Sequence, residues 1–329
     1  MAEQSSGLVP ELTADGSLTF YSVEFGETFH SRQGALQEAV LKFVEPTQLQ
    51  SKAQQGSLRL LDICYGLGYN TGAALEAIWS ANPACQVELI ALEHDSTVPL
   101  AAIHFWCSEQ QHEDAVSPQG GLEDRRLNAI AACPWSRMVT GLLTTLAAQH
   151  QIQTPYLNAQ LLLGDARQTI QDICQSSFLA DAIFLDPFSP PHCPQLWTVE
   201  FLACVARCLQ PEGRLATYSC SAAVRTALMA AGLQIGSTTP VGRKSPGTVA
   251  SFSTVDLCDL SAQEHEHLLT RAAIPYRDPL LSDPAPVMLA RRRAEQQSSS
   301  LEPTSHWKKR WAKTDKAGSV SGSEIAKQP

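Results

Sequence analysis

Residues 58–72 read L-R-L-L-D-I-C-Y-G-L-G-Y-N-T-G, a stretch that few folds accommodate. Leu58, Leu60, Leu61 and Ile63 make an apolar run short enough for a strand buried on both faces. Gly66 and Gly68 then impose a sharp turn, and residues 70–80 carry apolar side chains at helical spacing. A strand that passes through a glycine turn into a helix N-terminus lets backbone N–H groups approach a ligand closely. The same corner can be purely structural, so the acids further along decide its meaning.

The alternation continues. Strands are predicted over 87–92, 160–163, 180–185, 214–219, 233–237 and 248–255, and helices over 96–106, 142–150, 166–176, 196–209 and 222–231. Alternating βα units imply an α/β fold, Rossmann-like, with helices on both faces of a mostly parallel seven-stranded sheet. Ligands of such folds bind at the carboxyl ends of the strands. A strand over 18–25 and a helix over 35–44, with Leu36, Val40 and Phe43 on one stripe, come before the sheet. The expected organisation is an N-terminal strand–helix lid (1–57), a Rossmann-like domain (58–260) with a polar insertion at 107–136, and a C-terminal extension (261–329). The first sixteen residues and 318–329 read as loose or disordered. The extension reads as a short helix, proline-punctuated coil and a basic segment.

Hydrophobic residues are 44% of the chain and charged residues 17%, enough for a sizeable core. The opening M-A-E-Q-S-S-G lacks the regions of a signal peptide, and no apolar run has transmembrane length. The ten cysteines form no C-x-x-C pair, and His94, His104, His265 and His267 have no ligand spacing. The expectation is a cytoplasmic, reduced, metal-free protein with no membrane partner. A net charge of −9 argues against broad nonspecific binding to nucleic acid. Yet between Arg291 and Lys316 eight basic residues stand against three acidic ones.

Asp62, Glu93, Asp165 and Asp186 end or close four successive strands. Any one of them is an ordinary strand end; four in a row beside a glycine turn point to a nucleoside cofactor lying over Gly66–Gly68. Glu93 is placed to accept from both ribose hydroxyls, and Asp165 from an adenine amino group. The glycines run G-x-G-x-x-x-G, with Thr71 where the dinucleotide fingerprint needs its third glycine. The form D-x-C-x-G-x-G instead resembles motif I of S-adenosylmethionine-dependent methyltransferases, with Cys64 in place of the first glycine. After the fourth strand, D-P-F-S-P-P (186–191) resembles the D/N-P-P-aromatic loop of amino-methyltransferases. There Asp186 would accept from an amine and Phe188 would pack on a base.

Several motifs together make the resemblance specific: D-G-S-L-T (15–19), F-G-E-T-F-H-S-R-Q-G-A-L-Q-E-A (25–39), Y-G-L-G-Y-N (65–70), F-L-D-P-F-S-P (184–190), P-Q-L-W-T (194–198), G-R-L-A-T-Y (213–218) and G-R-K (242–244). Over about 15–255 the chain resembles the MnmC-type methyltransferase domain, while 274–279 and 307–311 resemble single-domain members. The resemblance implies a class I S-adenosylmethionine-dependent methyltransferase that completes the 5-methylaminomethyl group on the wobble uridine of tRNA, in the anticodon stem-loop. It implies cofactor contacts from Tyr65, Gly66, Gly68, Asn70, Glu93, Asp165, Ala166, Asp186 and Pro187. Phe20, Tyr21, Ser22 and Glu38 would close over the cofactor, His30 and Ser31 would line the acceptor side, and Arg243 and Lys244 would grip a phosphate. No second glycine fingerprint is present, so oxidase activity is not implied. Two rival readings are methyl or aminopropyl transfer to a small amine, as in spermidine synthase-like enzymes, and a non-catalytic tRNA-binding module.

Overall fold

In the computed structural model, residues 7–108, 134–240 and 245–321 are described. The chain opens with a three-stranded antiparallel sheet: β1 (Leu8–Leu12), β2 (Leu18–Ser22) and β3 (Glu27–Thr28). Residues 8–12, expected to be loose, are therefore a strand. Pro10 hid it from the sequence, and an edge strand is where a proline is tolerated. The Asp15 carboxylate holds the β1–β2 turn by accepting from Thr13 and Ser17, and it also accepts from Gln37 N.

Helix α1 (Ala35–Glu38) runs into a π-helical stretch, Ala39–Val44, and on into α2 (Glu45–Thr47). The π stretch lies just before Pro46, which has no N–H to give a carbonyl one turn back. The polar run expected to end this module contains a further short helix, α3 (Leu49–Lys52).

The central sheet has eight strands: β4 (Ser57–Ile63), β5 (Gln86–Glu93), β6 (Gln151–Gln153), β7 (Leu157–Leu163), β8 (Ala180–Leu185), β9 (Leu209–Thr217), β10 (Gln234–Ser237) and β11 (Thr248–Ser251). Their order is β10-β11-β9-β8-β4-β5-β7-β6, parallel from β9 through β7 and antiparallel at both ends. The expected seven strands become eight because Q-I-Q at 151–153 pairs with β7. Three residues with one apolar side chain leave no periodic trace. Strand β9 also starts earlier than expected, at Leu209, with a register shift against β8.

Between the strands lie α4 (Tyr69–Ala81), α5 (Thr97–Ser108), α6 (Arg137–Gln149), α7 (Ala166–Gln175), α8 (Val199–Arg207) and α9 (Ala222–Ala230). Most of the expected insertion, at 109–133, falls outside the described residues. The sheet divides two apolar layers. Leu58 and Leu60 of β4 meet Phe43, Leu75 and Ile78, whereas Leu61 and Ile63 face the layer of Ile170, Phe201 and Leu228. All seven β4 and β8 residues from Leu60 to Ile63 and Ile183 to Leu185 are wholly buried. Each such leucine or isoleucine contributes roughly 1.5–3 kcal/mol.

The C-terminal extension is largely helical: α10 (Ala262–Leu268), α11 (Ala285–Ser298) and α12 (Thr304–Ser321). Residues 318–321, expected to be disordered, end α12. Pro284 and Pro286, which read as coil, begin α11; a proline fits the first turn because its missing N–H has no partner there. Arg292 of α11 lies 4.5 Å over the Tyr276 ring, and the Tyr276 carbonyl accepts from Val199 N.

Candidate active site

The carboxyl ends of β4, β5, β7 and β8 surround a cavity of about 490 Å³ roofed by Phe25 and Phe29 of the lid. Three residues of the first turn, Cys64 (φ 70), Gly66 (φ 55) and Gly68 (φ 80), adopt left-handed backbone. Cys64 thus takes the conformation of the glycine it replaces, at a cost of about 1–2 kcal/mol. At Gly68 a Cβ would stand 2.7 Å from the Tyr65 hydroxyl, so this position admits no side chain while Tyr65 stays buried. Gly66 N donates to Glu93 Oε2 at 2.8 Å, while Oε1 accepts from the backbone N–H groups of His94 and Asp95. Burial raises the Glu93 pKa against these bonds.

Asp165 caps α7 and is engaged by Arg167, whose N (2.9 Å), Nε (3.1 Å) and Nη2 (2.7 Å) all donate to it. Burial alone would raise the Asp165 pKa, but these bonds to Arg167 lower it. Arg167 Nη1 in turn donates to Asp278 Oδ2 at 3.1 Å and to Asp283 O at 2.9 Å. Ala166 and Arg167 both line the cavity. Asn70, buried in α4, donates from Nδ2 to Asp186 Oδ2 at 2.8 Å, and its Oδ1 is buried without a partner. Burial and then the Glu38 charge push the Asp186 pKa well up. Asp62 is wholly buried and accepts from Thr71 Oγ1 at 2.7 Å; burial pushes its pKa up to about 7.

A second cavity, about 620 Å³, adjoins the first, and Phe29, Asp186, Pro187 and Phe188 line both. Tyr21 and Glu38, expected over the cofactor, line this second cavity and not the first. His30 and Ser31 also line it. His30 is only 8% exposed, with Nδ1 at 3.2 Å from Thr19 Oγ1 and its ring against Tyr69. Burial lowers its pKa to about 4, so the ring is neutral near pH 7. Ser31 N donates to Glu38 Oε2. Arg243 and Lys244 lie outside the described residues.

The 186–191 loop is pinned from three sides. Tyr218 Oη donates to Pro187 O, Trp197 Nε1 donates to Phe188 O, and Ser189 donates from N and Oγ to Glu27. Phe188 stacks on Phe25 at 4.3 Å and meets Phe29 edge-on at 5.0 Å. One face of the ring expected to pack on a base is therefore covered by the lid. Sequence reasoning missed Glu27, Arg167 and Gln195; a motif spans Glu27 and another spans Gln195, yet nothing local distinguishes these residues within them. Among the described residues no group of three or more His, Cys, Asp or Glu can hold a metal. No described helix is long and apolar enough to cross a membrane.

Residues 131–253 match the family described as S-adenosyl-L-methionine-dependent methyltransferases. MnmC2 from Aquifex aeolicus superimposes with a TM-score of 0.74 at 31% identity, covering 90% of this chain and 87% of that one. The chain belongs to the MnmC-type methyltransferases. A protein of Methanocaldococcus jannaschii is 28% identical over 82% of this chain and 67% of its own length. The bifunctional MnmC protein of Paracidovorax citrulli, named for tRNA 5-methylaminomethyl-2-thiouridine biosynthesis, is 33% identical over 66% of this chain. This chain spans 31% of that relative's length, and about a third of the other bifunctional proteins it matches.

The cofactor of the MnmC-type fold, S-adenosylmethionine, fits the first cavity. Its volume lies within the usual 300–1,000 Å³ of small-molecule sites. Gly66 leaves its stretch of the cavity wall without a side chain, and Glu93 is held at the β5 end by three backbone N–H groups.

Proposed function

We propose that the chain methylates the 5-aminomethyl nitrogen of the tRNA wobble uridine, giving 5-methylaminomethyl(-2-thio)uridine. The observation that carries this reading is the junction of the two cavities at Asp186, Pro187 and Phe188. A donor held in one cavity and an acceptor in the other can meet only there. The names of the bifunctional relatives supply the acceptor class.

S-adenosylmethionine, when bound, supplies a methyl group attached to a positive sulfur. The attacking nitrogen must then present a neutral lone pair. An alkylamine with a pKa of about 10 costs up to ~4 kcal/mol to deprotonate at pH 7. Asp186 lowers that cost in two ways. Burial makes its ionised carboxylate a stronger base toward the incoming ammonium, and the Asn70 bond to Oδ2 leaves Oδ1 to take that proton while holding the nitrogen in place. Neutral His30 lines the acceptor side with Tyr21 and Ser31, and Glu38 beside them accepts from Ser31 N. Arg32, at the rim of the second cavity with its Nε 3.5 Å from Glu11 Oε2, would meet a phosphate by leaving or sharing that exposed pair. A tRNA substrate fits a cytoplasmic protein.

The test uses tRNA from a strain lacking the final wobble methylation, incubated with the protein and S-adenosylmethionine, digested and weighed as nucleosides. Gain of one methyl group on 5-aminomethyluridine, absent with Asp186→Ala, is the expected result. Methylation of a small amine without any on tRNA favours the spermidine synthase-like alternative. Binding of tRNA without transfer to either favours a non-catalytic module.

A further inference from the structure

We infer that the side-chain amide of Gln195 reads the adenine amino group of the cofactor, a task that strand order assigns to Asp165. Gln195 sits on the 3₁₀ turn Pro194–Trp197 and lines the first cavity beside Asp165, Arg167 and Leu196. Its Oε1 is buried and has no hydrogen-bond partner in the protein. A buried amide oxygen without a partner costs free energy that a ligand donor recovers.

Asp165, by contrast, is already committed. Its Oδ1 accepts from the N and Nε of Arg167, and its Oδ2 from Nε and Nη2. Arg167 is itself fixed by Asp278, whose side chain is wholly buried and whose Oδ1 accepts from Ser282 N and Asp283 N. To accept from adenine, Asp165 would have to loosen a guanidinium held from two directions. The Asp165–Arg167–Asp278 chain therefore walls the pocket, and the amide beside it whose oxygen has no protein partner is that of Gln195. An amide presents an acceptor next to a donor, the complement of the adjacent amino donor and ring-nitrogen acceptor of adenine, whichever way the amide is turned.

The inference rests on the cofactor assignment and not on the acceptor, so its test needs no RNA. S-adenosylhomocysteine and the analogue whose purine lacks the 6-amino group are titrated by calorimetry into the wild-type chain, Gln195→Leu, Gln195→Glu and Asp165→Ala. Thermal melts verify that each variant is folded. The wild-type chain is expected to prefer the amino-bearing ligand by about 10- to 100-fold. Gln195→Leu should bring the ratio close to one, and Gln195→Glu, which keeps the acceptor, should preserve most of it. If Gln195→Leu does not fold, the ratio in Gln195→Met replaces it. A wild-type ratio retained without Gln195, or one that collapses only in Asp165→Ala, overturns the inference.

Discussion

Two carboxyl groups at neighbouring strand ends, Asp62 and Asp186, both have pKa values raised by burial, and their environments give them different work. Asp186 opens onto both cavities, whereas Asp62 is sealed beneath the turn with one oxygen on Thr71 and the other unpartnered. Removing Asp186 takes away the proton acceptor and the group that aims the amine. Asp186→Ala should lower single-turnover methylation by about 10²–10⁴-fold while leaving the calorimetric affinity for S-adenosylhomocysteine within a few-fold. For Asp62 the folded pKa, about 7, exceeds the usual 3.8, so between these values the native state holds a proton that the unfolded chain has released. Its contribution is fully present below the unfolded pKa and is lost as pH rises toward 7, by roughly 4 kcal/mol at the upper bound. Urea denaturation of the wild-type chain and Asp62→Asn at pH 4.5 and 8 checks this. The wild-type chain should lose stability relative to the variant as the pH rises between the two.

The helices of the N-terminal module pack into the core, where Phe43 and Leu49 are wholly buried, while its β2–β3 end meets the body at one loop. Glu27 of β3 accepts from Ser189 N at 3.0 Å and from Ser189 Oγ, and it pairs with His192 at 2.9 Å. Phe25 and Phe29 grip Phe188 from two sides. The same loop carries Asp186, so the seating of the N-terminal module on this loop and the position of the acid depend on the same contacts. Glu27→Ala leaves the Ser189 amide and hydroxyl without partners, a loss of about 1–3 kcal/mol if water does not replace them. We expect it to raise the KM for the tRNA acceptor several-fold, with a smaller change in cofactor affinity, in steady-state assays and calorimetry. An equal loss in both would mean that the lid serves the first cavity as much as the second.

At the scale of the whole molecule, the C-terminal extension is bound into the sheet domain through buried charges. Arg225 of α9 is 2% exposed and donates to Glu264 of α10 at 2.7 Å, as well as to Thr248 and Gly247. Asp278 crosses to Arg167 on the other side of the same layer of helices. Ending the chain after Leu260 would leave both arginines without these carboxylates and uncover Tyr276's neighbours Thr198 and Val199. Breaking one buried pair in this way costs about 3–5 kcal/mol, a large part of the 5–15 kcal/mol that stabilises a typical domain. The shortened chain is expected to melt well below the full one or to aggregate, as thermal unfolding and size-exclusion chromatography would show.

The sequence by itself determined the order of the βα units, the glycine turn after β4 and the acids that end β4, β5 and β8, with Asp165 just past β7. Those signals are local: alternation, apolar periodicity and a polar residue at a strand end recur within a dozen positions. It also put Asp186, Pro187 and Phe188 in one loop, and in the structure these residues line both cavities. Short or proline-bearing segments such as β1, β6 and α11 were illegible because their pairing partners, not their own patterns, hold them. Only the tertiary structure decided which lone pairs are free. Arg167 reaches Asp278 across 111 positions and Ser189 reaches Glu27 across 162, and such contacts leave no trace in sequence spacing. Asp165 is therefore legible as an acid at a strand end, but its commitment to Arg167, and the buried free acceptor on Gln195, follow from packing alone.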